Sequence, residues 1–242
     1  MLMAITRFMG AMLCLVGISI PNPAHADFVV TEDRALGEQA YIESAKVPDD
    51  WIKARFNEGK TITSVSFRDK KLTVVMSVNT GFTSQSYIVA DAIPYAWMDE
   101  KRLDNYFVTS VAGAGKQIMV VMSRGAKFSD QDLPNKTSFA LASTADGYRL
   151  TALGRVNYKF LSVESKGTDI TEQVGGSRSS FPHNFIVDNF AKGFRITSLF
   201  FADDVWYTVM SKTNDALWGE RCVATKDVEA ELKNGWKIKL SY

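Results

Sequence analysis

The stretch "VVMSVNTGFTSQ" at residues 74–85 returns 46 residues later as "VVMSRGAKFSDQ" at residues 120–131. In each, an apolar run ends in Ser and a Gln follows eight residues on. The same spacing joins Thr31 to Gln39, Ser77 to Gln85, Ser123 to Gln131 and Ser165 to Gln173. A fifth copy starts at Ser211 in "YTVMSKTNDALWGER" (residues 207–221), with Arg221 read in the place of Gln. Self-similarity at a fixed period is the mark of repeat architectures, so it decides how every other motif is read.

A second set of columns lies upstream in each unit. An aromatic residue at Trp51, Trp97, Phe139 and Phe185 is followed eight residues later by Gly59, Asn105, Gly147 and Gly193, and then by "TITSV", "FVTSV", "RLTAL" and "RITSL". In "DDWIKARFNEG" (residues 49–59) Asp falls in the N-cap region, Trp51, Ile52 and Phe56 are apolar, and Gly59 stands where a helix C-terminus needs a left-handed residue. Asn105 is the next best residue for that conformation. A helix of about two turns is therefore expected before each "ITS" strand, with a turn plus a fourth strand as the alternative.

After the Gly, β-branched and aromatic residues dominate "KTITSVSF", "KLTVVMS" and "SQSYIVA", which read as three strands separated by turns such as "RDKK" and "VNTG". The ends of the chain carry the missing parts of one more unit. "DFVVTEDRALGEQAYIES" (residues 27–44) aligns with the second and third strands of a unit, and "KDVEAELKNGWKIKLSY" (residues 226–242) with a helix, Gly235 and the first strand. Split terminal repeats suit a ring closed by pairing the last strand with the first, which hides edges that would otherwise invite aggregation.

The expected fold is mainly β: a five-bladed, propeller-like ring of about 45-residue repeats, each with three strands and a short helix. Residues 27–47 and 226–242 form the split repeat, and residues 48–91, 92–136, 137–178 and 179–225 the other four. A five-fold α/β-propeller is the alternative.

The motifs W-I-x(6)-G-x-x-I-T-S-V and V-V-M-S-x(7)-Q resemble the repeated, non-kinase C-terminal region of plant casein-kinase-I-like protein kinases, a domain of unknown function found also in bacterial proteins. The resemblance covers residues 28–240 and weakens in "KFLSVESKG", where the "VVMS" pattern is degraded, and in the fifth copy. It implies a binding or interaction role and transfers no catalytic residue.

Residues 1–26 have one positive charge at Arg7, an apolar run from Phe8 to about Ile20 and a small-residue ending at Ala24, His25 and Ala26. They read as a secretory signal cleaved before Asp27, giving a periplasmic or secreted protein. The run is short for a membrane span, and Cys14 lacks the flanks of a lipidated cysteine. Cleavage leaves 27 of the 28 basic residues against 27 acidic ones, which gives no electrostatic reason to expect nucleic acid or anionic lipid as a partner. A monomer without stable membrane insertion is expected.

The polar columns Gln39, Gln85, Gln131, Gln173, Ser77, Ser123, Ser165 and Ser211 are the ligand-binding candidates. The competing reading makes each Ser a strand end and each Gln amide a tie to the backbone of the loop between them. The aromatic column reads as helix packing rather than sugar-stacking platforms, and Met76, Met122 and Met210 as core. "AGAGKQ" (residues 112–117) lacks phosphate-loop spacing and falls in a strand-to-strand turn. No metal site or cofactor is expected.

One Cys and one His remain after cleavage, Cys222 and His183. Together they are the weak catalytic candidates of a thiol-dependent alternative, an amidine-modifying or hydrolytic enzyme. His183 in "FPHNF" reads more simply as a turn residue, and Cys222 as a small buried strand residue. The leading expectation is an exported, non-catalytic module that binds a protein or a glycan; a structural envelope component is a further alternative.

Overall fold

The computed structural model describes residues 28–32, 35–68, 70–141, 146–214 and 219–242, so the expected export signal with Arg7 and Cys14 lies outside the described residues. The chain is mainly β. It begins with β1 (Phe28–Thr31), β2 (Gln39–Ser44), α1 (Asp49–Asn57), β3 (Thr61–Arg68) and β4 (Lys71–Ser77). Next come β5 (Ser84–Ala90), α2 (Tyr95–Leu103), β6 (Phe107–Ala114) and β7 (Gln117–Arg124). Then follow β8 (Asp130–Asp132), β9 (Asn135–Lys136), β10 (Arg149–Val156), β11 (Lys159–Lys166), β12 (Ile170–Arg178), α3 (His183–Phe190), β13 (Arg195–Ala202) and β14 (Val205–Thr213). The chain ends with β15 (Glu220–Val223), α4 (Thr225–Lys233) and β16 (Lys237–Ser241).

These strands make five small antiparallel sheets. The first is β15-β1-β16, the second β2-β4-β3, the third β5-β7-β6, the fourth β8-β11-β10 with β9 also on β11, and the fifth β12-β14-β13. The last strand pairs with the first, Phe28 opposite Ser241. A strand that carries one of these Gln residues belongs to the next sheet rather than to the sheet of the preceding Ser: Ser77 ends β4 in the second sheet and Gln85 lies in β5 in the third. The eight-residue spacing therefore bridges two sheets.

Why the middle strands are written as unbroken apolar runs is visible in their neighbours. Five cores lie between consecutive sheets, and the series returns to its start. Val74 and Met76 enter the core between the second and third sheets, whereas Val75 enters the core between the first and second. Met119 and Val121 face one way, Val120 and Met122 the other. A strand covered on both faces cannot alternate polar with apolar. Met76, Met122 and Met210 are fully buried within these cores.

Four helices lie on this framework, and each buries an apolar residue between its own sheet and the next: Ile52, Met98, Ile186 and Val228. The aromatic column packs beside them, Trp51, Trp97 and Phe185 at three of the cores. Each helix ends in a left-handed residue, Gly59, Asn105, Gly193 or Gly235. The amides of Gly59 and Lys60 bond back to Phe56 and Arg55, closing the last turn, and the same pair of bonds recurs at the other three helices. The N-termini differ from expectation. Pro48 is the N-cap of α1, and Asp49 and Asp50 sit in its first turn, where they favour the positive end of the helix dipole without capping it.

A helix was expected in every unit, but none occurs among the described residues between β9 and β10. Phe139 and Leu141 take its place, packing with Phe160, Phe200 and Tyr207 between the fourth and fifth sheets. On the same face of β11, Ser162 and Glu164 stand where β4 has Val74 and Met76 and β7 has Val120 and Met122, and Glu164 is ion-paired with Lys136. The eroded "FLSVES" and the lost helix are thus two signs of one altered interface.

Strands β3, β6, β10, β13 and β16, termed the inner strands, all line one shared cavity of about 80 Å³, room for a few waters. Neighbouring inner strands touch closely at Gly113, where an added Cβ would lie 2.4 Å from the carbonyl oxygen of Arg155. "AGAGKQ" spans this strand end and its turn, with Gly115 left-handed. Because the obstruction is backbone, Gly113→Ala should destabilise the protein by about 2–3 kcal/mol in urea unfolding. Gly59→Ala, with open space around its Cβ, should cost about 1 kcal/mol from its positive φ alone.

Candidate functional site

The polar columns come together at one end of the sheets, but not as loop ties. Gln85 reaches the inner strand of the preceding sheet: its Oε1 accepts from Ile62 N at 2.6 Å, and its Nε2 donates to Ile62 O at 2.8 Å. That Nε2 also donates to Ser123 Oγ at 2.8 Å, on the middle strand of its own sheet. Gln131 clamps Val108 and Ser165, Gln173 clamps Leu150 and Ser211, and Gln39 clamps Ile238 and Ser77 in the same way. Each Gln pairs with the Ser that follows it, not with the Ser eight residues before. A carboxamide suits this position because it alone offers a donor and an acceptor side by side to an unpaired backbone N–H and C=O.

The clamped residue stands beside a β-bulge. Pairing of β3 with β4 shifts between Ile62 and Ser64, so Thr63 is the extra residue. Its Oγ1 meets Ser77 Oγ at 3.0 Å and donates to Val75 O at 3.4 Å. Thr109 and Thr151 repeat this with Ser123 and Ser165, and Thr197 meets Ser211. Protons thus run from Gln to Ser to Thr to a carbonyl. Ser77, Ser123, Ser165 and Ser211 are buried, as is Gln131, and all are engaged within the protein.

The fifth position corrects the sequence reading. Glu220, not Arg221, lies opposite Thr31, as Gln39 lies opposite Ser77. Glu220 Oε2 accepts from Ile196 N at 2.9 Å, and Oε1 is bonded to Lys239, which replaces the bulge Thr. Gln became acceptor-only Glu where Thr became cationic Lys, so an ion pair stands in for the hydroxyl relay. Arg221 instead pairs with Glu231 and covers the Trp236 ring at 4.1 Å. One residue more than eight separates Ser211 from Glu220, so the fixed spacing passes over it.

Cys222 is a buried residue of β15 packed in the core between the fifth and first sheets. Burial pushes its thiol from an ordinary value near 9 up to about 11. A thiol so placed is protonated at neutral pH and is a poor nucleophile. His183 is the first residue of α3 rather than part of the preceding turn, and its Nδ1 is buried without a partner among the described residues. Among the described residues no cluster of three or more His, Cys, Asp or Glu is placed to hold a metal ion.

The opposite end of the sheets carries the exposed chemistry, which the columns did not announce. Tyr158 occupies the tight turn joining β10 to β11 with φ +64° and is 74% exposed. The corresponding turn between β13 and β14 is Asp203–Asp204, also left-handed. Arg155 braces the two: its guanidinium lies 5.7 Å from the Tyr158 ring, its Nη1 is 2.5 Å from Asp203 Oδ2, and it donates to Tyr207 Oη at 3.1 Å. Phe201, 44% exposed, leans on Trp206, which in turn packs on Phe181 and Tyr242. A cavity of about 300 Å³ opens beside Asn157 and Lys159, and another of about 210 Å³ beside Arg68 and Lys71.

Five short antiparallel sheets joined edge to neighbour by carboxamide clamps define a β protein whose polar columns serve its own cohesion. The chain belongs to the family described as Domain of unknown function (DUF7477), whose model matches residues 27–152. The clamps at Gln173 and Glu220 continue the same geometry past that segment. No curated protein matches the chain in sequence.

Gln131→Ala would strand Val108 N–H and C=O and leave Ser165 bonded to Thr151 alone; a loss of about 3 kcal/mol is expected in chemical unfolding. Glu220→Gln and Lys239→Thr should each destabilise alone, while the double variant recovers about 1–3 kcal/mol of the summed loss, read as a double-mutant cycle. Cys222 should resist alkylation at pH 7–8 in the folded protein and react readily in denaturant. Its folded-state thiol holds a proton between pH 9 and 11 that the unfolded chain releases, so stability should fall as pH rises through that window.

Proposed function

We propose that this protein is an exported, non-catalytic binding module built as a five-bladed propeller of repeated units. Its partner, a protein or a glycan, is held at the hairpin end. The cyclic order of the five cores and the pairing of the first strand with the last support the ring; residues 1–26 support export. The likeness of its motifs to the non-kinase region of plant casein-kinase-I-like kinases fits a recognition role, and no nucleic acid is expected from its balanced charge. No helix among the described residues is long and apolar enough to cross a membrane.

The observation that carries the binding reading is Tyr158. Left-handed backbone costs a bulky side chain about 1–2 kcal/mol, and a hairpin turn of this kind is best served by Asn-Gly. Here Asn157 is followed by Tyr, whose ring projects into solvent over a buttressed arginine. A strained, exposed and pre-positioned aromatic gives little to folding and much to contact area. The thiol reading gains nothing from Cys222, which is buried and protonated.

Tyr158→Gly separates the two roles. It should raise unfolding stability by about 0.5–1 kcal/mol through relief of the positive φ. The same variant should lose the protein or glycan that the wild type retains in affinity capture from envelope extract or on a glycan array. Unchanged retention would place the binding surface elsewhere.

A further inference from the structure

The cavity of about 300 Å³ at the hairpin end, between the third and fourth sheets, is lined by Ala92, Ile93 and Tyr95 from the third-sheet unit and by Asn135, Val156, Asn157 and Lys159 from the fourth. Its size is at the lower end of small-ligand sites. The polar residues on its wall are one lysine, two asparagines and a tyrosine. Lys159 is exposed and has no carboxylate partner among the described residues, and no carboxylate lines the cavity. The two carboxamides each offer both a donor and an acceptor. Asn157 is fixed in place, held at φ +48° with its Nδ2 donating to Asp91 O at 2.6 Å. Tyr95 also lines the cavity, with its hydroxyl buried and without a hydrogen-bond partner among the described residues.

The cavity between the first and second sheets is a built-in comparison. Lys71 opens β4 as Lys159 opens β11, and Arg68 closes β3 as Val156 closes β10. There the cations share the cavity with Glu43, so the fixed charge is partly answered from within the protein. Between the third and fourth sheets the cation has no such answer, and Val156 replaces the second cation with an apolar wall.

We infer that this cavity binds a carboxylate-bearing sugar unit. The carboxylate would meet Lys159, hydroxyls would meet Asn135 and Asn157, and the C–H face would lie on Ile93 and Val156. A charged, hydroxylated ligand with one apolar face matches a wall with one cation, two carboxamides and one apolar side. This inference rests on the binding-module reading and names the ligand class for the glycan branch of it.

The test uses the intact protein and glucuronic acid as probe, with glucose and acetate as controls, followed by ligand-observed NMR titration. Saturable glucuronate binding with a Kd near 1 mM is expected, with both controls at least about tenfold weaker. Lys159→Gln should weaken glucuronate about tenfold and leave glucose unchanged, as loss of one charge-assisted hydrogen bond implies. Asn135→Ala should weaken both sugars. Absence of saturation at about 50 mM glucuronate, acetate binding as tightly as glucuronate, or an unaffected Lys159→Gln variant would each overturn the inference. Failure here, with a captured partner still lost on Tyr158→Gly, would leave the binding-module reading intact. Failure of both would remove it as well.

Discussion

The side-chain clamp at each inner-strand edge, a carboxamide at four and the Glu220 carboxylate at the fifth, is the constraint on which the other features depend. A three-stranded sheet has two open edges and, alone, is marginal in water. Here the inner edge is closed by a side chain from the next sheet, which supplies a donor to the free C=O and an acceptor to the free N–H of Ile62, Val108, Leu150 or Ile238. The bulge at Thr63 and its counterparts leaves that pair of groups unclaimed by the middle strand, and the Ser behind the Gln fixes the amide's orientation. Edge satisfaction and a buried polar network are thus set at four of the five junctions by one residue type at one spacing.

Apolar packing completes what the clamps align. Each middle strand gives alternate side chains to the two cores beside it, so its sequence is apolar on both faces apart from single buried threonines such as Thr73 and Thr208, and each helix adds an apolar residue to the core ahead of it. The fourth sheet shows how far this can bend. With no helix among its described residues, and with Ser162 and Glu164 on one face, it fills the gap with aromatic residues and answers Glu164 with Lys136. The fifth clamp shows the same tolerance, since Glu220 and Lys239 change together and keep the junction bonded.

The two ends of the sheets have different work. The clamp end consumes its polar groups internally, so the columns most visible in the sequence are the least available to a ligand. The hairpin end combines variable turns with exposed aromatic and cationic groups, and these share no column. Tyr158 stands where the other turns hold Lys or Asp, and Lys159 acquires its meaning from a cavity whose described lining holds no carboxylate. Sequence columns record what every sheet needs; a binding surface built from the exceptions leaves no column to read.

By itself the sequence determined the local conformations: the left-handed residues at Gly59, Asn105, Gly147, Gly193 and Gly235, the helices before three of the internal "ITS"-type strands and before the last strand, and the two-sided burial of "VVMS". These follow from backbone sterics and from apolar patterning within a few residues. Tertiary structure alone decided which partner each Gln meets, that Glu220 rather than Arg221 is the fifth clamp, and that Cys222 is sealed in a core. A spacing of eight residues is the same whether the intervening loop folds on itself or crosses to the next sheet. The choice between them depends on which backbone groups are left unpaired through space, tens of residues away in the chain.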